Sequence, residues 1–288
     1  MRALFTGGSS QLGTRVLQCV LEDKQYDEVW CLKHERAVPL SHPKLRVLEW
    51  DLKDGSDLHE IPPPLTQVIH FAAATHARVE RKYWEINFEG TVKLMEAARS
   101  LGCRRFFYAS TRCATQGSGA YGESKLAAEL ELKKVDWESL VIVRPAEIYG
   151  LAAQEGIDRM LQVAARFHFV PLLWGSRKVQ FAPIHADDFV AIACALLSEQ
   201  RSGLHTLDIC GPEPLNGIAI ASRIARYYRA LPIPMWWPAV RLLLQGFQSL
   251  GIGPVTPDQI KRLEGRKTAT VSSTDGTLDR SMKRFLRD

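Results

Sequence analysis

The chain has 288 residues, 46% of them hydrophobic and 24% charged, and a formal net charge of +5 at pH 7. These values are typical of a globular protein with one large or two coupled domains, and the modest charge argues against nucleic-acid binding. No apolar run approaches the roughly 18 residues of a membrane span. Because the first residues already have the character of a strand, we expect no signal peptide and a cytoplasmic location.

The six cysteines stand at positions 19, 31, 103, 113, 194 and 210, and their spacing matches no metal-binding pattern. Most of them lie in apolar runs. We therefore expect reduced, buried thiols and no metal site.

The chain opens with a pattern that favours a nucleotide-binding turn. Arg2–Thr6 predicts a strand, Thr6–Gly13 is rich in Gly and Ser, and Gln11–Leu21 has helical spacing of its apolar residues. A strand, a glycine-rich turn and a helix in this order can hold a diphosphate on the backbone N–H groups at the helix start. An ordinary strand-to-helix turn is the alternative interpretation.

Strand and helix patterns then alternate, which predicts an α/β fold with a doubly wound parallel sheet. Further strands are predicted at Glu28–Leu32, Leu45–Glu49, Gln67–Phe71, Arg105–Ser110, Leu140–Arg144 and Thr206–Ile209. Helices are predicted at Trp84–Leu101, Tyr121–Lys134, Ile157–Phe167, Asp187–Ser198 and Asn216–Arg229, and Val170–Gln180 is predicted to be irregular.

Tyr121 and Lys125 are four residues apart in a predicted helix, so they share one helix face. The ammonium favours phenolate, and we expect it to lower the pKa of Tyr121 from about 10 toward the working range. A phenol adjusted in this way can give and take a proton at a carbonyl/alcohol pair. The spacing alone also fits an ordinary solvated helix face.

Five stretches together resemble the short-chain dehydrogenase/reductase superfamily, in particular its extended and atypical branch of NAD(P)-dependent epimerase/dehydratase-like proteins. They are Thr6–Gly13, Val68–Ala73, Asn87–Thr91, Tyr121–Lys125 and Val143–Gly150. The resemblance covers nearly the whole chain and is strongest through residue 150. Ser10 stands where the family usually has the middle glycine of its turn, and a serine is small enough to keep the backbone close to a diphosphate.

The resemblance implies a Rossmann domain at residues 1–150, rejoined by about 178–210. It also implies a smaller, mostly helical substrate-binding portion at residues 151–177 and 211–288. In this family Tyr121 would transfer the proton, Thr111 would orient the reacting oxygen, and Lys125 would also hold the cofactor ribose. The other cofactor-binding positions that it implies are Thr6, Gly7, Ser9, Ser10, Gln11, Leu12, Gly13, Asp51, Leu52, Phe71, Ala72 and Ala73.

The end of the second strand indicates which dinucleotide binds. NAD sites commonly place an acid there, whereas cations accommodate the 2′-phosphate of NADP. Lys33 stands where the family's NAD-type acid would be, with Arg36 close by and Arg15 approaching from the first helix. These residues favour NADP as the cofactor. Glu35 is a counter-argument, and NAD is the alternative.

Candidate substrate contacts follow the predicted strands at the sheet edge where ligands bind; they are Thr75, His76, Ser110 and Glu147. Each position is also consistent with a solvent-facing loop residue or, for Ser110, with a simple neighbour of Thr111. Only nine residues separate Thr111 from Tyr121, where sugar-nucleotide epimerases usually carry a longer insert. The short segment predicts a more open site or a different substrate class. It also resembles atypical family members related to a respiratory complex I subunit, many of which lack the Tyr–Lys pair.

Residues 231–251 begin with Leu-Pro-Ile-Pro-Met-Trp-Trp-Pro and continue as an apolar stretch that predicts a helix containing Arg241. Burial against the core or a partner subunit is the favoured interpretation, and weak peripheral contact with a membrane surface or with an apolar substrate stays open. A short helix from Thr256 and a last helix in the basic tail are also predicted.

Two functions remain open from the sequence. The first is an NAD(P)-dependent oxidoreductase or epimerase/dehydratase acting on a small molecule such as a nucleotide sugar, as a monomer or homodimer. Net redox and isomerisation share the same machinery, so the sequence does not separate them. The second is a non-catalytic module that binds NADP(H) as a structural or redox-sensing ligand. The intact Tyr–Lys pair argues against this module, whereas Ser10 and the short segment after Thr111 argue for it.

Overall fold

The structure is a computed structural model that describes residues 1–53, 58–151, 156–174, 180–199, 201–236, 242 and 286. The chain divides into two compact units. Unit 1 comprises Met1–Ala114, Ala120–Arg144 and Val190–Leu207, and unit 2 comprises Thr115–Gly119, Pro145–Phe189 and Asp208–Asp288.

Unit 1 is built around a seven-stranded sheet, and its order from one edge to the other is β11-β6-β5-β4-β1-β2-β3. Its strands are β1 (Arg2–Thr6), β2 (Glu28–Lys33), β3 (Leu45–Glu49), β4 (Gln67–His70), β5 (Arg105–Ala109), β6 (Ser139–Pro145) and β11 (Gly203–Ile209). All pairings from β3 through β6 are parallel. The order 3-2-1-4-5-6 is that of a Rossmann sheet, which confirms the predicted fold class.

Burial explains why these segments form strands. All four residues of β4 are buried, as are four of the five in β5. Such continuous burial is typical of parallel strands that are covered on both faces. The covering helices are α1 (Gln11–Glu22), α3 (Gly90–Ser100), α4 (Ala120–Lys133) and α6 (Ala186–Ser198), the last of which begins in unit 2.

The predicted helix at Trp84–Leu101 is present, but it is not uniform. A short helix α2 (Arg81–Tyr83) leads into a π-helical segment (Trp84–Glu89), and α3 follows without a break. The Gly90 N–H donates to the Glu85 carbonyl, five residues back, which is the π-type bond. π-Helical turns occur frequently at functional sites.

Unit 2 contains α5 (Gly156–Phe167), α7 (Gly217–Tyr227) and three two-stranded sheets. The strand pairs are β7 (Ile148–Tyr149) with β10 (Ile184–His185), β9 (Gln180–Phe181) with β12 (Leu215–Asn216), and β8 (Phe169–Trp174) with β13 (Leu231–Trp236). Asn216 caps α7 as predicted, because its side chain accepts from the Ala219 N–H at 2.8 Å.

One prediction in this unit was wrong. Residues 170–174, which belong to the segment predicted to be irregular, form β8 together with Phe169, and residues 231–236, for which no element was predicted, form β13 and pair parallel with β8 along its full length. This two-stranded sheet tolerates the prolines at 171, 232 and 234, which have no N–H. The structure describes Leu242 but no other residue of 237–251. The helix predicted from Thr256 lies outside the described residues, and Leu286 is the one described residue of the basic tail.

The cysteine prediction needs one correction. Cys19 of α1 and Cys194 of α6 are paired as a disulfide, with their Cα atoms 6.4 Å apart. The error arose because these two residues are distant in sequence and their proximity is a product of the fold. Cys31, Cys103 and Cys210 are buried free thiols, as expected, and burial raises the pKa of Cys31 to about 12.

Over the residues that are described, no helix is long and apolar enough to cross a membrane.

Candidate active site

Three parallel strands of unit 1 end at one edge of the sheet, and this edge holds the candidate site. β1 ends at Thr6, β4 ends at His70, and β5 ends at Ala109. β1 pairs with β2 on one side and with β4 on the other, so the chain order reverses there. Ligands of open α/β sheets bind beyond the carboxyl ends of the strands at such a reversal.

The turn after β1 is packed so closely that only glycine fits at two positions. Gly7 has φ +82°, and a Cβ placed there would lie 2.7 Å from the Ala72 nitrogen. A Cβ on Gly13 would lie 2.1 Å from the Gly7 carbonyl oxygen. The missing side chains bring the turn, the start of α1 and the loop after β4 together. A dinucleotide diphosphate fits such a helix start, because the N–H groups there point outward.

Ser10, which replaces the usual middle glycine, is the N-cap of α1. Its hydroxyl oxygen accepts from the Gly13 N–H at 3.0 Å and donates to the Gly7 carbonyl at 2.9 Å. The serine therefore holds the turn closed with its own side chain. Next to it, Ser9 and Leu12 are half-buried and Gln11 is exposed.

Lys125 is the most unusual side chain at this edge, because it is a cation that is only 1% exposed. Its Nζ donates to the Ala109 carbonyl at 2.7 Å and lies 4.2 Å from the centre of the Tyr108 ring. Burial lowers the pKa of Lys125 to about 7, and the charge of Glu129 acts in the opposite direction. A buried, perturbed lysine at a ligand-binding edge is a strong indication of a functional site.

The other two catalytic candidates belong to the same region of unit 1. Tyr121 lies one turn before Lys125 on α4, is half-buried, and packs edge-on against the Tyr83 ring. Thr111 follows the end of β5, and its Oγ1 accepts from the Cys113 N–H at 3.2 Å. A hydroxyl that accepts one bond still has its O–H to donate. Ser110 is buried, and its hydroxyl donates to Glu129.

A buried hydrogen-bond chain connects the glycine turn to the π-helical segment. The Ala72 N–H donates to Thr6 Oγ1 at 3.1 Å, and Thr6 Oγ1 lies 2.6 Å from His70 Nδ1. His70 Nε2 lies 2.9 Å from Thr91 Oγ1, which donates to the Asn87 carbonyl at 2.8 Å. Because Thr91 donates onward, His70 is protonated on Nε2 and accepts on Nδ1. Burial holds the pKa of His70 well below its usual range, as does the charge of Lys125.

Asn87 continues this connection to α4. Its side-chain oxygen accepts from the Ala74 N–H at 2.8 Å, and its amide nitrogen donates to the Ala74 carbonyl at 3.0 Å and to Ser124 Oγ at 3.3 Å. Ser124 in turn donates to the Tyr121 carbonyl at 2.9 Å. The Asn87 side chain thus makes three hydrogen bonds, which join the loop after β4 to α4.

The region expected to bind the adenosine ribose carries one ion pair and one histidine–carboxylate contact. Lys33 Nζ donates to Glu49 Oε2 at 3.1 Å, and His34 Nε2 lies 3.2 Å from Asp51 Oδ2. Arg36 is exposed. The Lys33 cation that favoured NADP therefore has a carboxylate beside it.

The remaining candidates divide between the two units. Leu52 packs on the backbone of Gly90, and a Cβ added to Gly90 would lie 2.9 Å from the Leu52 Cβ. Phe71 stacks between Phe5 and Phe107, and Ala72 and Ala73 follow it half-buried. In the next part of this loop Thr75 and His76 are exposed. Glu147 lies in unit 2, where it accepts from the Ala182 N–H at 3.3 Å.

Two buried residues of this region were missed from the sequence as site candidates. His70 was quoted within Val68–Ala73 but was given no role, although a histidine at the end of an apolar strand was a usable signal. Glu129 lies four residues after Lys125, and that spacing was the signal for it.

This sheet, glycine turn and helix are typical of dinucleotide-dependent enzymes of the Rossmann type. Within that class the chain belongs to the NAD dependent epimerase/dehydratase family, which its residues 3–210 match. The predicted resemblance is thereby confirmed.

Individual relatives agree with this assignment. An uncharacterized protein of Sinorhizobium fredii is 27% identical over 230 residues, covering 73% of this chain and 56% of that protein. A 3 beta-hydroxysteroid dehydrogenase/Delta 5→4-isomerase of Mycobacterium tuberculosis is 24% identical over 285 residues, covering 86% of this chain and 76% of the relative. The solved structure of a dTDP-glucose 4,6-dehydratase from Streptomyces venezuelae, with NAD and TYD bound, shares the fold at TM-score 0.69 and 21% identity. That match covers 82% of this chain and 84% of the other.

Proposed function

We propose that this protein is an NAD(P)-dependent oxidoreductase or epimerase/dehydratase that moves a proton through Tyr121. The observation that carries the proposal is Lys125, a buried cation held by the Ala109 carbonyl at the end of β5 and one helical turn from Tyr121. Desolvating an ammonium is costly. The alternative, a non-catalytic dinucleotide-binding module, would account for Lys125 as a ribose ligand but gives no role to Tyr121 beside it.

The residues divide the chemistry between them. The nicotinamide cofactor supplies or accepts the hydride. Tyr121 takes or gives the proton at the substrate oxygen, and the O–H of Thr111 orients that oxygen. Lys125 favours the phenolate of Tyr121 and binds the cofactor ribose. Because Ser110 donates to the buried Glu129, we assign it to positioning rather than to substrate contact.

For the cofactor we propose NADP(H), with NAD(H) as the alternative. Lys33 and Arg36 support the proposal, since a charge-assisted contact with the 2′-phosphate contributes roughly 1.5–3 kcal/mol. Glu49 opposes it by pairing with Lys33. Calorimetric titration of both dinucleotides decides the question. If NADP is preferred, Lys33→Asp should weaken NADP binding alone and Glu49→Gln should strengthen it.

The substrate proposal is a small molecule with a secondary alcohol or a carbonyl. The names of the relatives supply two classes for a first panel, hydroxysteroids and nucleotide sugars. Thr75, His76 and Glu147 are proposed as substrate contacts. A cytoplasmic location and a monomeric or homodimeric state stay predictions.

The test is turnover by Tyr121→Phe on whichever panel member the wild type converts, followed by cofactor absorbance or product analysis. Removing the phenolic O–H while keeping the ring should lower turnover by roughly a hundredfold or more and leave cofactor affinity intact. Tyr83→Phe is the matched control, because it removes a phenol from the ring that packs against Tyr121. Near wild-type turnover by Tyr121→Phe would overturn the proposed mechanism.

A further inference from the structure

Glu129 is a fully buried carboxylate on the helix face that carries the proposed catalytic pair. Tyr121, Lys125 and Glu129 follow one another at intervals of four residues on α4, so they lie one above the other. Glu129 is 0% exposed. Carboxylates are almost never buried to this degree unless they are paired.

The partners of Glu129 come from the ends of two neighbouring strands. Arg144 on β6 donates to both carboxylate oxygens, from Nε at 2.9 Å and from Nη2 at 2.5 Å. Ser110, which follows β5 and precedes Thr111, donates to Oε1. Lys133 lies one turn further along α4, with its Nζ 3.9 Å from Oε2. These donors give both carboxylate oxygens of Glu129 a charge-assisted or hydroxyl partner and tie α4 to the strand ends that carry the site.

The groups around Lys125 come from three elements. Tyr108 on β5 lies under the ammonium, and His70 on β4 is a buried neutral imidazole. On α4 itself Tyr121 and Glu129 lie one turn away on either side, with the Arg144 and Lys133 cations on Glu129. An imidazole or a phenol in its neutral form has no charge that could stabilise the ammonium. Among these groups the Glu129 carboxylate is therefore the anion that favours the protonated form of Lys125. The pKa of Lys125 agrees, since burial lowers it and Glu129 opposes that effect.

We propose that Glu129 is a positioning residue that keeps Lys125 protonated beside Tyr121 and so acts on the proton transfer through Lys125. The catalytic part of this inference rests on the proposed function. The electrostatic part does not, because the protonation of Lys125 can be measured without substrate or cofactor.

The experiment is a pH titration of the whole chain by NMR with lysine isotope-labelled at the ε-carbon, in which Lys125→Met assigns the signal. Glu129→Gln keeps the shape but removes the charge, and Glu129→Asp keeps the charge but withdraws it by one methylene. Glu131→Gln is the matched control, because it removes a half-buried carboxylate of the same helix that pairs with Lys134 at 2.7 Å.

We expect Glu129→Gln to lower the pKa of Lys125 by about one unit or more, as a charge one turn away would at intermediate dielectric. Glu129→Asp should lower it by less, and Glu131→Gln should leave it unchanged. A pKa of Lys125 that is the same in Glu129→Gln as in wild type overturns the inference. An Asp variant as low as the Gln variant also overturns it, because only shape would then matter.

Should Glu129→Gln fail to fold, Glu129→Asp carries the test alone, and no fall in the pKa of Lys125 there overturns the inference. Once a substrate is found, the pH profile of turnover should move in Glu129→Gln and return toward wild type in Glu129→Asp. A profile that stays in place in both variants overturns the catalytic part. Full activity of Tyr121→Phe would instead overturn the proposed function, and the Lys125 titration would still decide the electrostatic part.

Discussion

The glycine turn after β1 and the buried face of α4 lie at the same edge of unit 1, but they are formed in opposite ways. In the turn, absent side chains let backbone atoms approach, as the Gly13 position shows with only 2.1 Å between an added Cβ and the Gly7 oxygen. On α4, large ionisable side chains are buried and bonded to one another. The turn is therefore sensitive to the size of its side chains, whereas the buried face of α4 is sensitive to the protonation states of its side chains.

This contrast predicts that the two regions respond differently to pH. A steric site has no titratable group, so damage to it should be similar at every pH. A site of buried charges should respond, because the folded and unfolded states hold different numbers of protons.

The largest loss of stability is expected for Gly13→Ala. The new methyl group would meet the backbone oxygen of Gly7, which cannot move without opening the turn. We expect a loss of stability on the order of 3 kcal/mol, independent of pH, and loss of dinucleotide binding. Denaturant titration and calorimetry measure both. Gly102→Ala is the control, since its surroundings are open and only its φ of +82° should cost, about 1–2 kcal/mol.

Lys125→Met should act in the opposite direction on stability. Burial lowers the pKa of Lys125 from 10.5 to about 7 in the folded state. Between these two pKa values the unfolded state binds more protons than the folded state, so the free energy of unfolding of the wild type rises with pH across that window. Below pH 7 the folded protein bears the full cost of burying the charged ammonium. Each pKa unit corresponds to about 1.4 kcal/mol.

We therefore expect Lys125→Met to be more stable than wild type at neutral pH, and to lack the rise in stability toward alkaline pH. Turnover and cofactor affinity should both fall. Denaturation at several pH values would contradict this if the variant and the wild type changed in parallel.

Asn87→Ala tests the connection between the two regions. The Ala74 N–H and carbonyl would lose their partners, and an unsatisfied buried group costs about 1–3 kcal/mol. Ser124→Ala keeps both Ala74 bonds and removes the 3.3 Å bond from Asn87 and the Ser124 bond to the Tyr121 carbonyl, and it should cost less. Equal losses in thermal or chemical denaturation would argue that the Ala74 bonds contribute little.

The smallest effect is expected for Ser10→Gly, which restores the usual glycine of the turn. A glycine N-cap costs only a few tenths of a kcal/mol relative to serine, whereas Ser10→Ala should cost about 1 kcal/mol. Dinucleotide affinity should stay within about twofold in Ser10→Gly. Asn216→Ala, the corresponding change at the cap of α7, should match Ser10→Ala in stability and leave dinucleotide binding unaffected.

The sequence predicted most of unit 1 because its signals are local. β1 and β3 begin and end at the predicted residues, and the glycine turn and the Tyr–Lys spacing are each contained in a few residues. Unit 2 was predicted less well, since β8 and β13 contain prolines and become strands by pairing with each other across about sixty residues. No local pattern contains that pairing.

Within the candidate site, the spacing that identified Lys125 could not show what surrounds it. The Glu129 network needs Arg144 and Ser110, which reach it from other strands. The Lys33–Glu49 pair arises in the same way, because β2 and β3 are neighbours in the sheet and their last residues are in register. Both contacts are set by strand order, which sequence periodicity does not specify.

The π-helical segment at Trp84–Glu89 also fixes how far α3 is rotated about the helix axis relative to the residues before the segment. A π turn fits one more residue than an α turn, so the residues before and after it are offset by about 100° from where a continuous α-helix would place them. Asn87 lies inside that turn, where it reaches Ala74 and Ser124. Deleting one residue here would restore an ordinary helix and rotate either Asn87 or the apolar face of α3 out of place. This part of the chain is therefore constrained in length more than in sequence, and substitutions should be tolerated here far better than single-residue deletions.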